Sequence, residues 1–391
     1  MNNGTPRMGT LAVWAGEDNP TSGAGTQVPI VRSVAFGYHD VTEWEAVGRG
    51  QTTGDIYSRN TNPTVRAFEQ KIQSLENAEA ATSFASGMAA ISNTLSTFLT
   101  PGDRIVSTRD TYGGTNKLFL EFLPRQGVEV ELCPTEDTAV ETALTKGCQV
   151  LYLETPTNPT LKVLDLARLL KAGQKAGALT IVDNTFATPI NQQPLELGAD
   201  LVVHSATKYL GGHADALGGA VCGAKDLVSR IYHYREITGA ALDPTAAYLL
   251  LRGIKTLHLR IERQTESAMV IARHLSSNPA IAIVHYPGLE EDPGHLVAKR
   301  QMRGFGGIVS FELVGGTNAM RQFLPRLRYA HRAANLGSVE TVAGPPSATS
   351  HVELTPEERL AAGIPEGLVR YSVGIEDPTD LMADLDQALA P

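Results

Sequence analysis

The chain has 391 residues, of which 42% are hydrophobic and 19% charged, and its formal net charge is -9. This length accommodates two domains with a large core, whereas the negative charge argues against a nucleic acid partner and against binding to anionic membrane surfaces. No apolar run reaches the ~20 residues of a membrane span, and no secretory pattern opens the chain, so we expect a cytoplasmic protein.

Residues 1–60 are rich in Gly, Thr, Asn and Arg and show little helical or strand periodicity. A segment that packs on nothing of its own is either disordered or lies on another subunit. Its scattered aromatic residues favour the second alternative. We therefore predict an N-terminal arm over residues 1–60 that contacts a neighbouring subunit.

Residues 61–245 alternate between helical and strand patterns, and we interpret them as one large domain. Such alternation implies right-handed crossovers and a mostly parallel central sheet with helices on both faces, an α/β fold. Helices are predicted to start at Pro63 and Ser86 and to span residues 115–125 and 164–176. Strands are predicted at residues 104–107, 128–133, 150–154, 179–183 and 201–204.

Residues 246–391 are predicted to form a connector helix, or two joined helices, over residues 246–277, followed by a smaller α+β domain. Thr355 and Glu358 have the spacing of a capping box at a helix start. The expected strands span residues 280–285, 308–313 and 368–373, and the expected helices span residues 318–324, 356–362 and 379–389.

The three cysteines, Cys133, Cys148 and Cys222, are widely separated and odd in number. This pattern fits reduced thiols in the core better than a disulfide framework or a zinc site. We expect no metal.

Lys208 follows the apolar run of residues 201–203, which predicts a buried strand that ends in a tight loop. Burial disfavours an ammonium ion, so the amine of such a lysine becomes a nucleophile toward a carbonyl. Ser205 and Thr207 alternate with Ala206, so both hydroxyls can reach one anion such as a phosphate. The alternative is a surface lysine in an ordinary turn.

Two further polar residues come at the ends of predicted strands, where ligands of open α/β sheets bind. Asn158 follows strand 150–154, and Asp183 ends strand 179–183. A buried carboxylate needs a cation, and Asp183 would suit a protonated pyridine nitrogen. The alternative for Asp183 is a turn cap.

Three other segments carry candidate ligand-binding residues. Gly87 and Met88 open a helix whose backbone N–H groups can hold a phosphate. Tyr112, just before two glycines, can stack on a planar ring and move a proton if a cation lowers its pKa. Arg370, in an otherwise apolar strand, matches the carboxylate of an amino acid. The alternatives are a packed helix entry, a core tyrosine and a surface arginine.

Tyr57 and Arg59 stand two residues apart at the end of the arm. In an extended chain their side chains lie on the same side and can clamp a phosphate. The alternative is a polar loop.

Together, these segments resemble the cysteine and methionine metabolism family of pyridoxal-phosphate enzymes, the γ-family of fold-type I, which includes cystathionine γ-lyase, methionine γ-lyase and cystathionine γ-synthase. The resemblance runs nearly end to end. It implies the fold-type I architecture, pyridoxal 5'-phosphate as cofactor, and homotetramers built from dimers with shared active sites.

The resemblance also assigns roles to the candidate residues. Lys208 would hold the cofactor covalently and move protons, and Asp183 would pair with the ring nitrogen. Tyr112 would stack on the ring and act as an acid or base. The phosphate would be held by Ser205, Thr207, Gly87, Met88 and, from a neighbouring subunit, Tyr57 and Arg59. The substrate would be bound by Asn158, Asn335 and Arg370.

The chain departs from its relatives around the predicted substrate pocket. Cystathionine-handling members usually carry Glu-Ser where this chain has Ala334-Asn335, which removes a partner for the distal ammonium of cystathionine. Methionine γ-lyases typically have a cysteine at Gly114 and Lys-Asp at Arg235-Glu236. The run Ala343–Ser347 also differs from the usual histidine-proline pattern. The resemblance nevertheless favours α,γ-elimination from methionine or cystathionine to give 2-oxobutyrate, ammonia and a thiol.

Two other functions stay open. A γ-replacement synthase that uses an O-acylated homoserine is the alternative within the family, and a noncatalytic binding protein is the alternative from another class, since fold does not fix function. A nucleotide-dependent oxidoreductase is disfavoured because no Gly-x-Gly-x-x-Gly turn follows a predicted strand.

Overall fold

A computed structural model describes residues 6–17 and 25–390 of the chain. Its helices are α1 Met8–Trp14, α2 Val41–Gly48, α3 Pro63–Leu75, α4 Gly87–Phe98, α5 Gly113–Lys117, α6 Asp137–Leu144, α7 Leu166–Lys175, α8 Thr188–Asn191, α9 Lys225–Thr238, α10 Pro244–Ile254, α11 Leu257–Ser276, α12 His295–Gln301, α13 Gly316–Phe323, α14 Pro356–Ala361 and α15 Pro378–Leu389. Its strands are β1 Ala80–Phe84, β2 Arg104–Thr108, β3 Glu129–Cys133, β4 Val150–Glu154, β5 Leu179–Asp183, β6 Leu201–Ser205, β7 Gly219–Gly223, β8 Ile281–His285, β9 Ile308–Leu313, β10 His331–Arg332, β11 Val342–Gly344 and β12 Leu368–Ser372.

The larger sheet has seven strands in the order β1-β7-β6-β5-β4-β2-β3. Strand β7 runs antiparallel to both of its neighbours, and the other pairs are parallel. Residues that alternate along β4 enter different core clusters: Val150 and Tyr152 pack with Ile91 of α4, and Leu151 packs with Leu169 of α7. Both faces are therefore covered by helices, and the predicted α/β fold with a mostly parallel sheet is confirmed.

The smaller sheet has the order β10-β11-β12-β9-β8 and is antiparallel except for the β10/β11 pair. The predicted connector is two helices, α10 and α11, rather than one. Thr355 and Glu358 form the expected capping box of α14. The two sheets match the predicted order of a large and a small unit, while the boundaries at residues 60 and 245 stay predictions.

The start of the chain differs from the predicted arm. Helix α1 packs on α3 and α11 of its own subunit, and the buried Lys71 Nζ donates to the carbonyl oxygen of Ala12 at 3.0 Å. The pairing of Lys71 with Glu17 at 2.5 Å adds a second anchor. Helix α2, by contrast, buries none of its residues in the chain. Residues 1–5 and 18–24 of the predicted arm lie outside the described residues.

Within residues 6–17 and 25–390, no helix is both long enough and apolar enough to cross a bilayer.

Candidate functional site

A cavity of about 240 Å³ lies at the carboxyl ends of β4, β5 and β6. Loops of the smaller sheet close its other side, so the cavity lies between the two sheets. Its lining includes Lys208, Asp183, Tyr112, Asn158 and Arg370. The structure thus brings together residues that are up to 258 positions apart in the sequence (Tyr112 and Arg370).

Lys208 lies in the loop after β6, and its amine faces the cavity. Burial, followed by the charge of Arg370, lowers the pKa of the Lys208 amine to about 8. Lys208 Nζ donates to Asn335 Oδ1 at 2.9 Å, so an amide from the opposite side of the cavity holds it. A lysine with this pKa has a substantial neutral fraction near pH 7 to 8, which a nucleophile toward a carbonyl requires.

Asp183 ends β5 with 7% of its surface exposed. Its Oδ2 accepts from the hydroxyl of Tyr152 at 3.1 Å, and its Oδ1 accepts from the backbone N–H of Thr185 at 3.0 Å. No lysine, arginine or histidine among residues 6–17 and 25–390 forms an ion pair with it. A buried carboxylate without a cation is costly, so the site is suited to a cationic ligand at this position.

The start of helix α4 borders the same cavity. Ser86 caps the helix by accepting from the backbone N–H of Ala89. A Cβ on Gly87 would lie 2.6 Å from Cβ of Ser205, so only glycine lets the helix start approach the tip of β6 this closely. Met88, Ser205 and Thr207 line the cavity beside it. Helix N–H groups and two hydroxyls form a site for a phosphate.

Arg370, on β12, defines the opposite end of the cavity. Its Nη1 donates to Asn158 Oδ1 at 2.9 Å, and its Nη2 donates to the backbone oxygen of Asn335 at 3.2 Å. Burial lowers the pKa of the guanidinium to about 10, against the opposing effects of Tyr209, Tyr112 and Glu154. No carboxylate in the described part of the chain pairs with it, so the residue is suited to an incoming carboxylate.

Tyr112 borders the cavity with 36% of its surface exposed. Burial, and then the charges of Glu353 and Glu154, raise the pKa of its phenol, while Arg370 acts in the opposite direction. The sequence analysis made proton transfer by Tyr112 conditional on a cation that lowers this pKa. Arg370 acts in that direction, but burial and the charge of Glu353 outweigh it in the single chain. The phenol is therefore protonated near neutral pH, which suits a proton donor.

Glu154 is a site residue that the sequence analysis did not select. It ends β4, and its Oε2 accepts from the backbone N–H of Tyr112 at 2.9 Å. Burial, and then the charge of Asp183, raise its pKa well above the usual value. Its position at the end of a predicted strand beside Asn158 was the signal available in the sequence.

The loop of residues 349–351 was also missed as a part of the site. Ser350 lines the cavity, and its hydroxyl lies 2.9 Å from His351 Nδ1. His351 Nε2 lies 3.1 Å from the carbonyl oxygen of Thr111 and must donate to it, since a carbonyl only accepts. Burial lowers the pKa of His351 to about 4, so the ring is neutral and fixes the loop against the turn that carries Tyr112.

Tyr57 and Arg59 do not line the cavity of their own chain. The guanidinium carbon of Arg59 lies 5.1 Å from the centre of the Tyr57 ring, and 41% of the Tyr57 surface is exposed. The pair is thus held together away from the other predicted site residues of the same subunit.

The departures noted in the sequence have different structural settings. A Cβ at Gly114 would lie 2.8 Å from Tyr112 Cε1 and 3.2 Å from Met88 Sδ, so the glycine fits the present position of the tyrosine ring. Arg235 is buried away from the cavity and donates to Glu69 and to the backbone oxygen of Asn60. Ala334 and Asn335, in contrast, lie at the cavity itself.

The family model described as "Cys/Met metabolism PLP-dependent enzyme" matches residues 9–390. The chain belongs to this family. It is 43% identical to the L-methionine gamma-lyase of Pseudomonas putida over 99% of this chain and 98% of that protein. It is also 43% identical to the cystathionine gamma-lyase of Bacillus subtilis strain 168 over 97% of this chain and 98% of the relative.

A crystal structure of the cystathionine gamma synthase of Xanthomonas oryzae pv. oryzae in complex with cystathionine has a TM-score of 0.94 to this chain. The two share 38% identity over 99% of this chain and 98% of that one. The predicted family, its fold and its pyridoxal 5'-phosphate dependence are therefore confirmed.

The residues of the cavity fit this cofactor. The lysine amine matches its aldehyde, the unpaired carboxylate of Asp183 matches its ring nitrogen, and the start of α4 with Ser205 matches its phosphate. The narrow approach at Gly87, where a Cβ would collide with Ser205, shows that the backbone itself forms this last part of the site.

Proposed function

We propose that the protein is a carbon–sulfur lyase that performs α,γ-elimination on methionine or cystathionine. With water, the reaction yields 2-oxobutyrate, ammonia and a thiol, which is methanethiol from methionine or cysteine from cystathionine. The observation that carries the proposal is that Lys208, Asp183 and Arg370 converge on one cavity. None of the three forms an ion pair with another described residue. Relatives that are 43% identical over 97% or more of this chain are named as lyases of these two substrates.

Arg370 and Asn158 are proposed to bind the α-carboxylate of the substrate. The two side chains are already bonded to each other at 2.9 Å, so the carboxylate meets a rigid pair instead of two independent chains. Fixing this end of the substrate places Cα toward Lys208, on the other side of the cavity.

Lys208 is proposed to remove the proton from Cα and then to act at Cβ. When bound, pyridoxal phosphate supplies an electron-withdrawing ring that stabilises negative charge at Cα. The lowered pKa of Lys208 favours the neutral amine that accepts the proton. Asn335 Oδ1 accepts from the Lys208 amine and holds it at the cavity wall between these steps.

Tyr112 is proposed to donate a proton to the departing thiolate. Its raised pKa keeps the phenol protonated, and its place at the cavity edge leaves it accessible to a γ-substituent.

The phosphate group of the cofactor is proposed to bind to Ser205, Thr207 and the N–H groups of Gly87 and Met88.

The test of the proposed activity is a substrate panel. The purified holoenzyme is incubated separately with methionine and with cystathionine, and 2-oxobutyrate is measured. We expect release from at least one of them without any added thiol. Absence of release from both would reject the lyase function.

A γ-replacement synthase is the second candidate, because a solved structure of high similarity is named as a cystathionine gamma synthase. The same holoenzyme is given O-succinylhomoserine or O-acetylhomoserine with and without cysteine. Product that forms only when the thiol is present, with no 2-oxobutyrate from methionine or cystathionine, would favour this function.

We further propose a homotetramer in which Tyr57 and Arg59 of a neighbouring subunit complete the phosphate site. Support comes from the absence of this pair in the cavity of its own chain and from exposed aromatic residues such as Trp14 and Trp44, which are 64% and 49% exposed. Size-exclusion chromatography with light scattering measures the mass of the holoenzyme and so tests the proposed tetramer.

Subunit mixing tests the shared site. Arg59→Ala and Lys208→Ala subunits are each expected to be inactive, and co-expression of the two should restore about a quarter of the sites, because half of the random dimers carry one intact site. No recovery in the mixture would contradict a shared site. The individual variants, matched in expression level, are the controls.

The domain limits and the location are also proposals. Residues 61–245 are proposed to bind the cofactor and residues 246–391 to form the connector and the small domain, in line with the two sheets. The buried free thiols of Cys133, Cys148 and Cys222 fit a reducing compartment such as the cytoplasm. Limited proteolysis and cell fractionation test these two points.

A further inference from the structure

The loop that runs from Thr349 to Leu354 lies across the turn that carries Tyr112. The backbone N–H of Gly113 donates to the oxygen of Ser350 at 3.2 Å, and His351 Nε2 donates to the oxygen of Thr111 at 3.1 Å. These two bonds fix the loop at the edge of the cavity. A side chain that the loop carries next to Gly113 is therefore held beside the turn whose Tyr112 borders the cavity.

That side chain is Glu353. Its Oε2 lies 3.2 Å from the position a Cβ on Gly113 would occupy, so the carboxylate lies against the residue that follows Tyr112. The charge of Glu353 acts on the phenol, where it raises the pKa of Tyr112 more than any other charged group does. Glu353 is exposed, and across residues 6–17 and 25–390 it makes no ion pair or side-chain hydrogen bond.

The other carboxylates at the cavity are committed elsewhere. Glu154 holds the backbone N–H of Tyr112, and Asp183 holds Tyr152 and Thr185. Ala334, on the opposite loop, lines the cavity without a charge. Glu353 does not itself line the cavity, but its carboxylate forms no ion pair in the described part of the chain and lies beside the Tyr112–Gly113 turn that borders the cavity.

We propose that Glu353 is a specificity-determining residue that binds the distal ammonium group of a cystathionine-type substrate. The inference rests on the proposed lyase function and names its preferred substrate class: amino acids with a second, cationic amino group beyond the sulfur. Methionine has a methyl group there and gains nothing from this carboxylate.

The expected size of the effect follows from exposure. An exposed carboxylate–ammonium pair is worth up to about fivefold in affinity, and salt weakens it because both charges stay in contact with water. Selection by Glu353 is therefore expected to be modest and sensitive to ionic strength.

The test compares Glu353→Gln with the matched control Glu357→Gln in the holoenzyme. Glu357 is exposed on α14, has no side-chain partner in the described part of the chain, and lies four residues away. We expect the ratio of kcat/KM for cystathionine to kcat/KM for methionine to fall about threefold to fivefold in Glu353→Gln, through the KM for cystathionine. Glu357→Gln should leave the ratio unchanged, and Glu353→Asp should restore part of it.

The experiment distinguishes an error about Glu353 from an error about the proposed lyase function. A wild-type enzyme that turns over both substrates, with the same ratio in Glu353→Gln, overturns the role of Glu353 only. If the wild type releases 2-oxobutyrate from neither substrate, calorimetric binding of cystathionine and methionine still tests the residue. Weaker binding of cystathionine alone in Glu353→Gln supports the proposal, and equal or no change for the two ligands overturns it.

Discussion

The two sides of the cavity are constructed differently. On the side of the larger sheet, Asp183 and Lys208 lie at or just after the ends of neighbouring parallel strands, and Glu154 ends the next strand. On the side of the smaller sheet, Asn335 and residues 349–353 lie in irregular segments around β11 and β12. Sheet register places Glu154 directly beside Asp183, whereas individual hydrogen bonds such as those of Asn335 and His351 hold the second group.

This difference suggests that the two sides of the cavity have different roles, one in the chemical reaction and the other in substrate selection. The strand-end side carries the amine and the carboxylate whose chemistry fits the aldehyde and the ring nitrogen of pyridoxal phosphate. The loop side carries residues at which this chain departs from its relatives, namely Ala334, Asn335 and the run that precedes residue 349. We therefore expect changes to Lys208 or Asp183 to abolish turnover of every substrate, and changes to Ala334 or to the loop of residues 349–353 to alter the choice among substrates.

The largest effect is expected for Lys208→Ala. Loss of the amine should lower kcat for both methionine and cystathionine by about 10³-fold or more, because proton transfer and covalent attachment depend on it. Release of 2-oxobutyrate and the visible absorption of the bound cofactor report the change. Lys171→Ala, on the exposed face of α7, is the control and should behave as wild type. Full turnover by Lys208→Ala would contradict the assignment.

Arg370→Lys should come next, with a KM for either substrate that rises about 10-fold to 100-fold. Lysine keeps the charge but loses the paired donors that match a carboxylate. Steady-state kinetics with both substrates measure the change, and a kcat that falls much more than KM rises would argue against a role in binding. The exposed Arg321→Lys on α13 serves as the control.

The pKa of Lys208 predicts the pH dependence of cofactor uptake. In the cofactor-free protein the amine is neutral above its pKa of about 8 and protonated below it. The rate at which added pyridoxal phosphate gives the bound spectrum should therefore rise about tenfold from pH 7 to pH 9 and then level off. A rate that still rises in proportion to hydroxide above pH 9 would show an amine with its ordinary pKa.

The smallest effect is expected for Asn335→Ala, which removes the amide that holds Lys208. One hydrogen bond is worth about 1 kcal/mol, so kcat should fall about fivefold while the spectrum of the bound cofactor persists. Asn335→Asp should in addition raise the pKa of the Lys208 amine, because it places a carboxylate beside it, and so shift the pH profile upward. A loss as large as that of Lys208→Ala would mean that Asn335 belongs to the chemical side of the cavity.

Much of the fold could be predicted from local patterns, and the misses share one cause. The predicted strands β2 to β6 were located because apolar runs bounded by turns mark buried strands. Strands β1 and β7 were missed because Ala80–Phe84 and Gly219–Gly223 consist mostly of small or polar residues and so form no apolar run. Their pairing with each other and with β6, which only the assembled sheet provides, makes them strands.

Some side-chain contacts could not be predicted from the sequence for the same reason. Nothing local indicates that Lys71 anchors α1, that Asn335 holds Lys208, or that Glu353 lies beside Tyr112, because each pair is separated by more than 50 residues. The same holds for the sign of the pKa shift of Tyr112, because burial and then the charge of Glu353 raise this pKa more than Arg370 lowers it.

The sequence by itself determined the family, the fold and the cofactor, since short motifs at predicted strand ends carry groups whose chemistry fits pyridoxal phosphate. The tertiary structure decided which charged groups near the cavity form no ion pair within residues 6–17 and 25–390, among them Asp183 and Arg370 in the cavity and Glu353 beside the turn of Tyr112. The physical reason is that a charged group is unpaired only if none of its neighbours in the fold carries the opposite charge. Folding brings those neighbours together from distant parts of the chain, so a local sequence pattern does not reveal them.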